Sequence, residues 1–198
     1  MNLITNCCIG GDYYNEMKLE YNNPFIWVII KPNDMIQLIG NFNKLNFNNI
    51  KLLSSEFSNE KRQCFKLNID NLVDIHYPHY LKNEYYKEIQ YGSTDTSVDV
   101  LYYKIEDYII ETYKRRLNRM LINKEIPQFL ILGDREGYNW DLEQIYKLDK
   151  ISGEKICLIS QIKLPTPLKN VYYINYNSEN HYQTRIKNDK QIRNNLGF

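Results

Sequence analysis

The chain has 198 residues, 43% hydrophobic and 25% charged, which suits a globular protein able to bury one sizeable core. Lys+Arg 25 against Asp+Glu 24 leaves a net charge of +1, so no overall field favours nucleic acid. The longest wholly apolar run, Phe25 to Ile30, is far short of the roughly 20 residues that span a membrane.

The N-terminus has neither the basic nor the apolar segment of a signal peptide, which points to the cytoplasm and to thiols rather than disulfides for the four cysteines. The chain has no alanine and 18 tyrosines, a bias expected of an AT-rich genome rather than of a particular chemistry.

LITN (3–6) predicts a short first strand, Gly10-Gly11 a break, and Asp12 the cap of a helix from Tyr13 to Leu19. FIWVII (25–30) predicts a central strand buried on both faces. After Lys31-Pro32-Asn33-Asp34, the apolar residues Met35, Ile36, Leu38, Ile39 and Phe42 fall at helical spacing. Candidate strands follow at 50–54, 64–69 and 72–76, then a surface excursion over 76–97. Val98 to Tyr103 predicts a strand and Glu106 to Asn123 the strongest helix, with one apolar face and one carrying arginines. FLIL (129–132) is a buried strand, Asn139 a cap for a helix from Trp140 to Leu148, and 155–162 and 171–176 are further strands. Residues 1–176 therefore read as one α/β domain, three-layered with a mostly parallel or mixed sheet and helices on both faces, and 177–198 as a polar tail or short helix.

The loop after FLIL brings Asp134 and Glu136 to the carboxyl edge of the sheet, where α/β proteins bind ligands. Two carboxylates at that spacing suit a divalent cation on a diphosphate, or else Asp134 makes a local turn. Arg115 and Arg119 share a helix face, with Arg116 about 100° around, an arrangement that can clamp an anion or form a solvated face. His76 and His79, with Asp74 nearby, lack the partners of a zinc site and read as a polar loop. Cys7-Cys8 has no redox partner motif, and the favoured role for at least one of the pair is in the core. Gly10-Gly11 matches neither phosphate-loop pattern, although a glycine turn with Asn6 can offer backbone N–H groups to an anion.

The motifs TNCCIGG, EYNNPFIWVIIKPNDMIQLIGNF, YKRRLNRM and LGDREGYNWDLEQIYKL stand in the order and spacing of the DUF1919 family, which the chain resembles from about residue 3 to about residue 162. Members are exopolysaccharide or capsule biosynthesis-associated proteins of bacteria and giant viruses, and the resemblance implies a three-layer, Rossmann-like α/β fold. The matching positions are Asn6, Gly10, Gly11, Tyr21, Pro24, Phe25, Tyr113, Arg115, Arg116, Arg119, Asp134, Arg135 and Gly137.

Together these readings predict a glycosyltransferase that takes a nucleotide-sugar and a glycan acceptor. Its site would be the crevice between the Asn6–Gly11 loop, the Arg115–Arg119 helix and the Asp134–Gly137 loop. Arg115 and Arg119 would hold the diphosphate, with Arg116, Arg135 and Gly137 among the substrate contacts. Asp134 and Glu136 would be the catalytic carboxylates, and the ligands of Mg²⁺ or Mn²⁺ if a metal takes part. Two other classes stay open: a non-catalytic module binding a glycan or nucleotide, and a sugar-tailoring acyl- or methyltransferase.

Overall fold

The computed structural model describes residues 2–7, 9–16, 18, 23–57, 63–81, 98–122, 128–134, 138–151, 155–176 and 181–197. In chain order the elements are β1 (Asn2–Thr5), α1 (Ile9–Glu16), α2 (Pro32–Asn41), β2 (Ile50–Phe57), β3 (Gln63–Ile69) and β4 (Val73–Leu81). There follow α3 (Val98–Ile122), β5 (Gln128–Gly133), α4 (Leu142–Asp149), β6 (Lys155–Ser160), β7 (Val171–Asn175) and α5 (His181–Leu196).

Continuous apolar runs build the first sheet, as burial on both faces requires. Its four parallel strands run β1-β5-β6-β7, with Leu3 opposite Phe129, Leu130 opposite Ile156 and Ile156 opposite Val171. Alternate residues enter two cores. Ile4, Leu130, Leu132, Ile156 and Leu158 join one, with Ile145 and Leu148 of α4 and Ile109, Tyr113, Leu117 and Met120 of α3. Leu3, Phe129, Ile131, Cys157 and Ile159 join the other, with Tyr14 of α1 and Ile192 of α5. The fold is mixed α/β. Among the described residues the parallel strands follow one another in chain order.

The second sheet is an antiparallel meander, β2-β3-β4. β3 and β4 alternate from Phe65 to Tyr77, with Phe65, Leu67, Ile69, Val73, Ile75 and Tyr77 buried in the first core and Lys66, Asn68, Asp74 and His76 on the other face, while β2 is irregular between Leu52 and Ser54.

The apolar run at 25–30 is not the predicted strand. It is a buried connector whose only described ladder contact is a bridge from Ile29 to His76, in which each residue's N–H donates to the other's carbonyl. Trp27, at φ +60°, turns the chain out of the extended region, which a bulky residue rarely does and which no ladder tolerates. Its neighbours split between the cores, Ile26 into one and Phe25, Val28 and Ile30 into the other.

Other boundaries also moved. The predicted strand at Val98–Tyr103 is the first part of α3, and 177–198 supplies the 16-residue α5, packed on β6. α1 begins at Ile9, so Gly10 and Gly11 belong to a helix and not to a loop. α4 is capped by Asp141 rather than Asn139: the Gln144 N–H donates to Asp141 Oδ1 at 2.8 Å and the Asp141 N–H to Gln144 Oε1 at 3.0 Å, a complete capping box. Most of the predicted excursion at 76–97 lies outside the described residues, although β4 itself continues to Leu81.

Gly11 has a packing role. A Cβ there would lie 1.9 Å from Cε2 of Trp27. Gly11→Ala is expected to destabilise the protein by roughly 1–3 kcal/mol, as overpacking does, read as a lower urea midpoint. An unchanged midpoint would show that the indole does not sit against α1.

Candidate functional site

At the carboxyl edge of the parallel sheet the side chain of Asn6 continues the ladder that β1 has ended. Its Nδ2 donates to the Gly133 carbonyl at 3.0 Å and its Oδ1 accepts from the Gly133 N–H at 2.9 Å. Its own carbonyl accepts from the Ile30 N–H at 3.0 Å, so one buried asparagine joins β1, β5 and the connector.

Asp134 follows directly. It is buried, and each carboxylate oxygen accepts a backbone N–H, Oδ1 from Trp140 at 3.0 Å and Oδ2 from Gln161 at 2.8 Å. These bonds brace the loop between β5 and α4 against the end of β6. Burial, with the nearby charge of Asp134, pushes the Tyr176 phenol up to about 12. A divalent cation at Asp134 would have to compete with the two N–H donors. Arg135, Glu136 and Gly137 lie outside the described residues. Among the described residues no group of three or more His, Cys, Asp or Glu is arranged to hold a metal ion.

The structure thus brings Asn6 and Asp134 together, through Gly133, and places the arginines elsewhere. α3 turns Ile109, Tyr113, Leu117 and Met120 inward, which leaves Arg115 and Arg119 exposed on the far side. Arg116 is half-buried and borders a small void with Leu67, Tyr77, Ile109 and Tyr113, over the antiparallel sheet. Gly10 and Gly11, inside α1, form no phosphate loop.

A different set of residues encloses a cavity of about 220 Å³: Lys31, Ser54, Lys66, Asp74, His76 and Tyr138, with Ile29. Its floor is a row across the sheet. Ser54 pairs with Lys66, Lys66 with His76, and His76 with Ile29. Lys31 follows the Ile30 that Asn6 holds, and its ammonium lies 5.7 Å from the Tyr138 ring centroid. Tyr138 is carried on the segment that Asp134 anchors, so two walls of the cavity are tied, through Asn6 and Asp134, to the carboxyl ends of β1 and β5.

The charges here are set by close contacts. Lys66 Nζ lies 2.8 Å from Asp74 Oδ2, and the Asn68 amide donates to Asp74 Oδ1 at 2.7 Å. With both partners about a third exposed, the pair is worth at most about 1 kcal/mol. Burial alone would raise the Asp74 carboxyl, but Asn68 and Lys66 outweigh it and hold the group below its ordinary value. Burial lifts Asp34, in the first turn of α2, above its own; the Asp74 N–H that it accepts opposes this, and the Asp74 charge adds to it.

Sequence reasoning passed over this cavity, although half of it was legible. The alternation C-F-K-L-N-I and V-D-I-H-Y puts Lys66, Asn68, Asp74 and His76 on one sheet face. Nothing local connects that face to Lys31 or Tyr138.

Opposite signs of pH dependence follow. A depressed Asp74 contributes stability above its unfolded value of ~3.9, lost as pH falls through the lower folded one. A raised Asp34 costs stability above its folded value, and the cost vanishes below ~3.9. At pH 7 Asp74→Asn is expected to lower the urea midpoint and Asp34→Asn to raise it, with both differences shrinking by pH 3. Shifts of equal sign would contradict the assignment.

In comparisons with known proteins, no protein-family model and no curated relative matches the chain.

Proposed function

We propose that the chain is a glycosyltransferase of glycan assembly that takes a nucleotide-sugar donor, with the lysine-lined cavity as the seat of the donor's phosphate-bearing part. The observation that carries this reading is the meeting of Lys31, Lys66, His76 and the Tyr138 ring in one cavity, whose Lys31 and Tyr138 walls are tied through Asn6 and Asp134 to the ends of β1 and β5. Its volume of about 220 Å³ is below the roughly 300–1,000 Å³ of a whole drug-sized site. It therefore suits one part of the donor, the phosphates and the sugar they carry. The shared motifs support glycan chemistry as the setting.

In this reading Lys31 and Lys66 replace Arg115 and Arg119 as the phosphate contacts, and Asp74 holds Lys66 in place. His76 accepts the proton of the acceptor hydroxyl. The acceptor oxygen bonds to the anomeric carbon as the bond to the diphosphate breaks, and the nucleoside diphosphate leaves toward the lysines. Asn6 and Asp134 act as positioning residues for the segments that carry Lys31 and Tyr138.

The test is a thermal-shift panel of nucleotide-sugars, free nucleotides and S-adenosylmethionine, with and without Mn²⁺. At a ligand concentration 100 times Kd, linkage supplies about 2.7 kcal/mol, a readily measured rise in Tm. At least one nucleotide-sugar is expected to give it, and the exposed Lys31→Ala variant to lose most of it. If no nucleotide-sugar raised the midpoint, or if the variant responded as the parent does, the reading would fall. A response to S-adenosylmethionine alone would favour a tailoring methyltransferase.

A further inference from the structure

We infer that a second cavity, at the C-terminal end of α2, is a binding site for an uncharged sugar ring. It measures about 300 Å³ and combines the apolar side chains of Phe42, Leu45, Phe47 and Leu121 with the asparagines 43, 46 and 48. That volume reaches the lower bound, roughly 300 Å³, of small-molecule sites.

The lining determines the class of ligand. Among the described residues no charged side chain lines it, so a phosphate, a carboxylate or a cation would find no counter-charge from them. An aliphatic ligand would cover the amides without pairing them. A pyranose offers what the cavity lacks: a face of C–H groups for the rings, and an edge of hydroxyls that both donate and accept. Phe42 and Phe47 lie 5.0 Å apart between centroids at 57°, with Phe47 buried and Phe42 half-buried. The side-chain amides of Asn43 and Asn48 are exposed and hydrogen-bond to nothing among the described residues, and each carries two donors and an acceptor.

The frame is built before any ligand arrives. Asp70, at φ +55° in the β3–β4 turn, accepts the Asn46 N–H on Oδ2 at 3.0 Å and the Asn49 amide on Oδ1 at 2.9 Å. Asn46 Oδ1 in turn accepts the Asn48 N–H at 3.2 Å. A loop fixed in this way loses little freedom on binding.

This site does not depend on the lysine-lined cavity, which lies at the other end of α2. The 10 residues of that helix, at 1.5 Å each, separate the two by about 15 Å. In the glycosyltransferase reading it would hold a sugar of the acceptor chain away from the reacting one.

The experiment is saturation-transfer NMR on the full chain with glucose, galactose, N-acetylglucosamine, maltose and cellobiose. At least one is expected to receive saturation from the protein, and the double variant Asn43→Ala/Asn48→Ala to bind it about tenfold more weakly or worse. Both substitutions are on exposed side chains, so the fold should survive, which a melting curve checks. Phe42→Leu removes the ring and should weaken the same sugar. The inference is overturned if none of the five sugars binds the parent chain, or if the double variant binds as the parent does. Lys31→Ala should leave sugar binding intact while losing the nucleotide-sugar response, so either reading can fail alone.

Discussion

Everything in this fold depends on one buried segment that belongs to neither sheet. Residues 23–30 pass between the parallel sheet and the meander, and their backbone is satisfied from both sides: the Ile30 N–H goes to Asn6, and Ile29 exchanges bonds with His76. Asn23, fully buried, secures the entrance. Its amide donates to the Leu3 carbonyl and the Tyr14 hydroxyl, and its Oδ1 accepts the Phe25 N–H. Left unpaired, each buried polar group would cost about 1–3 kcal/mol, so the segment persists only because strands on both sides supply partners.

The cavity of the proposed function inherits its geometry from that segment. Lys31 is the first exposed residue after it, and α2 starts immediately beyond, with Pro32 at its first position. On the opposite wall, Asp134 Oδ1 accepts the Trp140 N–H, two residues beyond Tyr138, and Oδ2 the Gln161 N–H just past β6. In the proposed reading Asn6 and Asp134 therefore serve to aim other residues. Asp74, His76 and Lys66, which carry no motif, are the ones that face the open space.

Much of the fold was legible because its signals are local. The apolar stretches of β5, β6 and β7 gave strands close to their observed bounds, the polar turns of the meander gave where its strands begin but ended β2 and β4 several residues early, and the periodicity of α3 gave its buried face. Failures came where a tertiary partner decides. Six apolar residues at 25–30 satisfy a buried strand and a buried connector equally well, and only Trp27's backbone distinguishes them. Val98–Tyr103 carries β-branched and aromatic residues, yet it forms the first part of a helix, since strand propensity is a weak guide by itself. The cap at Asp141 was readable, since Asp141 and Gln144 have capping-box spacing. The cavity was not, because it joins Ile29 and Lys31 of the connector and Tyr138 of a distant loop to one face of the meander.

The bond between Asn6 and Gly133 joins residues 127 apart, and the whole antiparallel meander and α3 lie within the loop that it closes. The entropy of closing so long a loop is repaid only late, whereas β2, β3 and β4 pair through short turns. The meander's pairings are therefore the cheaper ones in loop entropy. The junction of β1 with β5, closed once across 127 residues, would feel an insertion anywhere between them only weakly, since the cost of closure grows as the logarithm of loop length.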